Sequence, residues 1–489
     1  METKSISKWL ALLIILTAPL LYVIDIFIIN MAIPAIKAGV HATDGEVQLV
    51  IAGYLLGSAS FLITGGRAGD YLGRRKVFFW GMFCFTLTSC LCGLAQTALQ
   101  LNITRFFQGL SSSIMVPQSI ALIQVLFTDQ KERAKAIGWY GITLSIAAII
   151  GQILGGYLVG THFMIAGWRL IFFINLPVGA ASLWAIRQFL HETPKETKNA
   201  FDYRGAAILT LGLICLIYPL TQGREAGWPL WSIALIISSV CTFAFFIRDQ
   251  KNKLLHNKQP LIDISLFKIR EFNIGLLAVL FHFMMHTAFL LMSAVYLQNG
   301  LGLSALNCGM YFILHATLFM ISSVIASKLI VKFGKWVLQA GLLLILISFI
   351  LMICFFKAPV SGWCVNLLIG LYGLGNGLVL PSLLTIALKS IPSKFAGVAA
   401  GVFSTFQQTA SALGISILGG IFYNVIDNNR LHPNYFKALS YGLAAGMVCL
   451  FIVGVMLYLL PSSAKDAVKK ASAETIQFHE QQQEIGHIG

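Results

Sequence analysis

Long apolar runs separated by short polar breaks fill the chain from about residue 9 to residue 460. A helix needs about 20 mainly apolar residues to cross a bilayer, because hydrocarbon leaves its backbone polar groups no partners but each other. Fourteen stretches qualify, near 9–33, 47–66, 77–97, 101–126, 136–160, 169–190, 204–222, 230–248, 272–296, 305–327, 336–356, 362–388, 396–422 and 438–460. The pattern predicts an all-α polytopic membrane protein.

The chain also repeats itself. Gly109 precedes Pro117 by the interval that separates Gly373 from Pro381, and the following span ends in paired glycines both times, Gly155-Gly156 and Gly419-Gly420. A degenerate copy of the first basic loop recurs at 328–335, without its acid. The expected organisation is a six-helix half over 1–190, a linker and inserted two-helix hairpin over 191–250, a second six-helix half over 251–460, and a polar, Gln-rich cytoplasmic tail over 461–489. Parallel halves of this kind place a substrate site between them near the midplane.

Composition agrees. Of the 489 residues 57% are hydrophobic and 11% charged, with a mean hydropathy of +0.80, whereas soluble domains are about 25% charged. A net charge of +15 invites a nucleic-acid reading, so its placement decides. With the N-terminus inside, all but seven of the 34 Lys and Arg fall on the cytoplasmic side; the exceptions are Lys37, Arg105, Arg169, Arg224, Lys357, Arg430 and Lys437. That bias predicts a multi-pass membrane protein with both termini cytoplasmic and no nucleic-acid partner; the plasma (inner) membrane is the expected location. The first run is too long for a signal-peptide core and carries Asp25, so it reads as a span. The cysteines mostly sit inside spans without metal-type spacing and read as reduced packing residues.

Candidate chemistry is sparse. Asp25 is the one acid well inside an apolar span. A carboxylate there costs a few kcal/mol unless it pairs; it is either a structural hydrogen-bonding group or a site that takes up and releases a proton. Asp25 lies roughly 13 Å from the outer end of its span and Arg105 roughly 7 Å from the outer end of the fourth, at 1.5 Å per residue. Their depths allow a pair, unless Arg105 snorkels to the headgroups. Asn30, Gln108, Asn376, Gln407 and Gln408 are candidate cavity residues. His282 and His286 share one helical face, and His315 lies in the next span; each reads as a packing residue or a contact to substrate or proton. No third ligand is placed for zinc. Between the second and third spans, Gly66, Asp70, Gly73, Arg74 and Arg75 form a basic loop in which Asp70 either caps a helix or acts as a conformational latch. Gly141, Gly151, Gly155 and Gly156 give the fifth span a smooth face for helix packing. No phosphate-binding Gly-x-x-x-x-Gly-Lys-(Ser/Thr) loop is present, so ATP is not the expected energy source, and no cofactor or metal is called for.

The loop resembles the Gly-x-x-x-Asp-(Arg/Lys)-x-Gly-Arg-(Arg/Lys) signature of the major facilitator superfamily, with Tyr71 at the usual basic position. Asp25-Ile-Phe-Ile-Ile-Asn30-Met-Ala32-Ile-Pro34 resembles the first-helix motif of its fourteen-helix drug:proton antiporters. Arg105, Gln108 and Gly109 resemble the fourth-helix motif, which implies a role for the arginine in proton transfer. The 141–156 run resembles the antiporter motif, with Gln152 where Pro is usual. Trp168-Arg169-Leu-Ile-Phe-Phe-Ile-Asn175-Leu-Pro177 resembles a segment of the same branch. The resemblance implies a major facilitator fold and a multidrug efflux transporter rather than an enzyme, with a small-molecule substrate, protons and the bilayer as partners; accessory membrane-fusion and outer-membrane proteins are unknown. A metabolite carrier of the same fold, even an importer, and a transport-dead sensor are the alternative readings.

Overall fold

The computed structural model describes residues 7–161, 165–192, 202–256, 258–357, 359–388, 391, 396–427 and 433–459. The tail at 461–489 and the linker core at 193–201 lie outside the described residues. The first half comprises α1 (Lys8–Gly39), α2 (Asp44–Leu72), α3 (Arg74–Leu94), α4 (Ala98–Leu126), α5 (Gln130–Val159), α6 (Gly167–Phe173) and α7 (Asn175–Phe189). A hairpin follows, α8 (Tyr203–Gln222) and α9 (Leu230–Leu255). The second half contains α10 (Arg270–Val295), α11 (Ala305–Phe333), α12 (Lys335–Phe355), α13 (Gly362–Leu388), α14 (Ala396–Asp427) and α15 (Tyr435–Tyr458). With α6 and α7 taken together, the described residues form fourteen helices long and apolar enough to cross a membrane, and no strand.

Local chemistry sets the helix ends. Thr43 and Glu46 close a capping box at the start of α2, satisfying donors a first turn leaves open. Gly73, with φ +98°, ends α2 and starts α3, and Gly334, with φ +55°, does the same between α11 and α12. Both are left-handed corners that favour glycine, so the degenerate second loop keeps the turn although it lacks the acid. The sixth span, expected to be continuous, is broken at Ile174. Pro177 has no N–H to give Phe173 O, and Ser89 Oγ–H donates to Phe172 O beside the break at 2.9 Å.

The halves are built alike. Here the near end is the one at which α1 starts and α15 finishes, and the far end is its opposite. Helices α2 and α4 run parallel, with Gly57 against Phe106, Gly109 against Tyr54 and Gly65 against Ser113. In the second half α11 and α13 run parallel, with Gly373 against His315 and Gly377 against Phe319. A Cβ on Gly373 would fall 2.8 Å from His315 Cα, so the repeated glycines are sites of backbone-to-backbone approach.

Two seams join the halves. Along one, α2 faces α14, from Gln48 beside Gly419 to Ile63 beside Gly401. Along the other, α5 meets α11 at the far end, where a Cβ on Gly156 would lie 2.5 Å from Ala305 O and one on Gly309 would lie 2.7 Å from Gln152 O. Toward the near end Gly138 and Gly141 face open space. The hairpin helix α8 lies over the α2–α14 seam, where Thr221 and Ser416 hydroxyls meet at 2.8 Å. Helix α9 lies on the outside of the bundle, with Leu230, Ile237 and Val240 exposed along it.

Candidate functional site

Asp25 sits midway along α1, on the side packed against α4, and is fully buried. It forms an ion pair with Arg105, itself 1% exposed. Gln108, one turn along α4, completes a ring: Arg105 Nη1 donates to its Oε1 at 2.8 Å, and its Nε2 donates to Asp25 Oδ1 at 2.9 Å. Arg105 Nε donates to Val50 O on α2 at 3.0 Å, and its guanidinium lies 4.3 Å from the Tyr54 ring centre. A charge pair survives such a setting only when most of its donors and acceptors are engaged. The expected similarity in depth is therefore realised as a direct contact, and Arg105 does not snorkel.

A residue absent from the candidate set completes the cluster. The break in the sixth span exposes Asn175 at the start of α7, and its Nδ2 donates to Asp25 Oδ1 at 3.3 Å and to Ser89 Oγ at 2.9 Å. Arg169, earlier in the same motif, donates to Gly93 O and Ala95 O at 2.7 and 2.6 Å, placing a cation at the end of α3 where the helix dipole favours it. Gln108, expected among cavity residues, belongs to the Asp25 ring. Asn30 turns back on its own helix, donating to Ile26 O at 3.3 Å.

A second buried polar cluster occupies the corresponding part of the other half. His282 Nε2 and Asn376 Oδ1 lie 2.9 Å apart, His286 Nδ1 and Tyr372 Oη 2.7 Å, and Asn376 Nδ2 and His286 Nδ1 3.2 Å. Tyr372 precedes Gly373 as Gln108 precedes Gly109, and His315 packs on Gly373 as Tyr54 packs on Gly109. The His315 ring stacks on Tyr372, centroids 5.5 Å apart. Both His315 nitrogens and His282 Nδ1 lack a protein partner among the described residues, and a buried imidazole N–H without one is costly. Gln408 bridges the halves, donating to Tyr22 and, at 3.2 Å, to Ser58 Oγ; Gln407 beside it is half-buried.

At the near end the Asp70 side chain lies outside the described residues. Arg74 donates to Ala121 O at 2.8 Å, and Arg75 to Ile186 O and Arg187 O at 3.3 and 2.6 Å, at the last turn of α7. Glu192, not among the candidates, accepts from the Arg75 and Lys76 amides at 3.1 and 3.2 Å, supplying the N-terminal cap that Gly73 lacks. Arg67 donates to Pro260 O, ahead of α10, at 3.0 Å. Gly66 makes ordinary contact with Pro117.

The glycines of α5 divide. Gly151 and Gly155 pack on Ile24 and Ile28 of α1, and Gly156 packs on α11, as a packing motif requires. Gly141 meets nothing, although the near half of α5 is held to the start of α1 by the Lys8–Glu132 pair and by Lys135 over the Trp9 ring; it is the face carrying Gly138 and Gly141 that is open. Gln152 leaves α5 unbroken.

At the far end, three carboxylates and two cations meet. Lys37 pairs with Asp44, Glu225 accepts the Gly45 amide at 2.6 Å, and Arg224 reaches Asp427 at 2.7 Å and Glu225 at 3.7 Å. The hairpin turn thereby ties the start of α2 to the end of α14.

Two like-built six-helix halves, a hairpin over their seam and one sealed ion pair define a polytopic membrane carrier. The Major Facilitator Superfamily profile matches residues 15–415, and the chain belongs to that superfamily. It is 32% identical over 423 residues to the "Probable actinorhodin transporter" of Streptomyces coelicolor, covering 86% of this chain and 73% of the relative. Against the "Multidrug resistance protein Stp" of Mycobacterium tuberculosis the identity is 29% over 400 residues, covering 81% and 73%. Among solved structures, a bacterial homolog of the human lysosomal transporter Spinster aligns with a TM-score of 0.66 at 15% identity over 92% of this chain and 96% of that one. The family and these relatives identify a transporter, not an enzyme.

Proposed function

We propose that the protein is a proton-coupled exporter of amphipathic drugs or toxic compounds, acting by alternating access in the plasma membrane with both termini cytoplasmic. The observation that carries this reading is the closed ring of Asp25, Arg105 and Gln108, an ionisable pair sealed in the bundle with no hydrogen-bond partner outside the first half among the described residues. A proton reaching Asp25 competes with Arg105 for the carboxylate, so protonation loosens the hold of α1 on α4. One seam supports the direction of opening: Gly156 and Gly309 press α5 and α11 together at the far end, whereas Gly138 and Gly141 of α5 meet nothing toward the near end, as in a state opening to the cytoplasm along that seam while α2 and α14 stay in contact. Substrate enters from there while Asp25 is paired; reorientation releases it outside, and protonation favours the return.

Coupling requires substrate and proton to bias the same two-state equilibrium in opposite directions. His282, His286, His315, Asn376, Gln407 and Gln408 are assigned to the substrate side, supported by the unpartnered imidazole nitrogens and by the Gln408 bridge. The basic segment from Gly66 to Arg75, which the sequence reads as a loop but which forms the last turns of α2, the Gly73 corner and the first turn of α3, is assigned to holding the near-end conformation, and the functional units to 1–190, 191–250 and 251–460. The names of the relatives support an antibiotic-like substrate. The test is uptake of a fluorescent lipophilic cation into inside-out vesicles under a proton gradient, comparing wild type with Asp25→Asn. Uptake that collapses in the variant is expected. Equal uptake by both removes Asp25 from coupling, and no uptake of any cation by the wild type points to a narrower metabolite carrier.

A further inference from the structure

Where the hairpin reaches the near end, a groove of about 310 Å³ opens between the start of α8 and the end of α9, lined by Arg204, Phe245, Arg248, Asp249, Asn252, Lys253, His256 and Lys258. Its acids are engaged. Asp249 pairs with Lys253 and stands 3.6 Å from Arg204. Asp202, beneath the groove, pairs with Lys253 at 2.8 Å and accepts from Gly205, Gln250 and Leu261. Burial opposes ionisation of Asp202, but the Lys253 ammonium, the Gly205 amide and the Gln250 side chain outweigh it and hold the carboxyl below its ordinary value. Arg248 and Lys258 are exposed, and neither side chain makes an ion pair among the described residues. The groove therefore presents uncompensated positive charge.

Its surroundings are apolar. Ile233, Ile237, Val240, Ala244, Arg248 and Asn252 follow one another at three- and four-residue steps, so they form a single stripe along α9. The first three are 45%, 59% and 64% exposed. A stripe that runs outward-facing through the span to Arg248, with Lys258 just past the helix lining the same groove, fits an amphiphile with tails along the helix and an anion at the interface. We propose that this groove binds the phosphate headgroup of an anionic phospholipid, with Arg248 and Lys258 on the phosphate and the acyl chains along Ile237 and Val240. The attraction of juxtamembrane Lys and Arg for anionic lipid supplies the selectivity. A lipid held there braces α9, and through α8 the seam between the halves.

Native mass spectrometry of the full-length protein tests this, with phosphatidylglycerol and phosphatidylcholine of matched chains as probes. Phosphatidylglycerol adducts should survive collisional activation that strips phosphatidylcholine. The Arg248→Gln, Lys258→Gln double variant, which alters only exposed side chains, should retain about tenfold less, while Lys131→Gln with Lys332→Gln should retain as much as wild type. Excess inorganic phosphate should not displace the lipid. Equal retention of both lipids, no loss in the double variant, an equal loss in the control, or displacement by phosphate would each overturn the proposal; the last would make the groove a site for a free anion.

Discussion

At the scale of single residues the Asp25–Arg105 contact makes a prediction that separates a coupled pair from two polar groups. Removing one partner strands the other charge in the bundle, which costs about 3–5 kcal/mol, whereas removing both strands nothing. Asp25→Asn and Arg105→Gln should therefore each lower the Tm of purified protein more than the double variant does. Effects that add across the cycle would mean the two side chains do not depend on each other. The pair was legible in the sequence because one acid in an apolar span has few places to go and helix rise fixes its depth. Asn175 and Glu192 were not. Each is an ordinary polar residue in a motif or loop, and only the break at Ile174 and the return of the chain past Gly73 bring them to Asp25 and α3.

Among elements, the inserted hairpin does more than add two spans. Its turn carries Arg224 to Asp427 of the second half and Glu225 to the Gly45 amide of the first, so it clamps the far end across the seam. Sequence spacing identified the insertion but not the clamp, since the partners are about 180 and 200 residues away and no local pattern links them. Asp427→Asn weakens the clamp at a site only partly exposed, where a charge-assisted hydrogen bond is worth about 1.5–3 kcal/mol. Spin labels at Tyr157 and Leu306, both exposed and on opposite sides of the far-end seam, should report longer distances in the variant than in otherwise wild-type protein. An unchanged distribution would make the Arg224 pair ornamental to the conformational balance.

For the molecule as a whole, the fold was legible because hydrophobic period, charge bias and repeated glycines all point to the same paired architecture. What stayed hidden is which glycines pack in which state. Gly156 is pressed against the backbone of α11, yet Gly141 on the same helix meets nothing. If α5 rocks about its middle, the near-end glycines close on the opposite half when the far end opens, and they are idle only in the state seen here. Gly141→Leu should then leave stability nearly unchanged, because the side chain enters open space and a glycine in a helix interior is itself unfavourable by about 0.5–1 kcal/mol. It should nevertheless stop transport, by blocking the closure that state requires. Gly156→Leu should act in the opposite sense, lowering Tm and favouring the far-end-open form, since backbone atoms of Ala305 and Leu306 cannot make room cheaply. Gly141→Leu with wild-type Tm and wild-type uptake would show that the near half of α5 never closes, and the two-state rocking of the halves would have to turn on another helix.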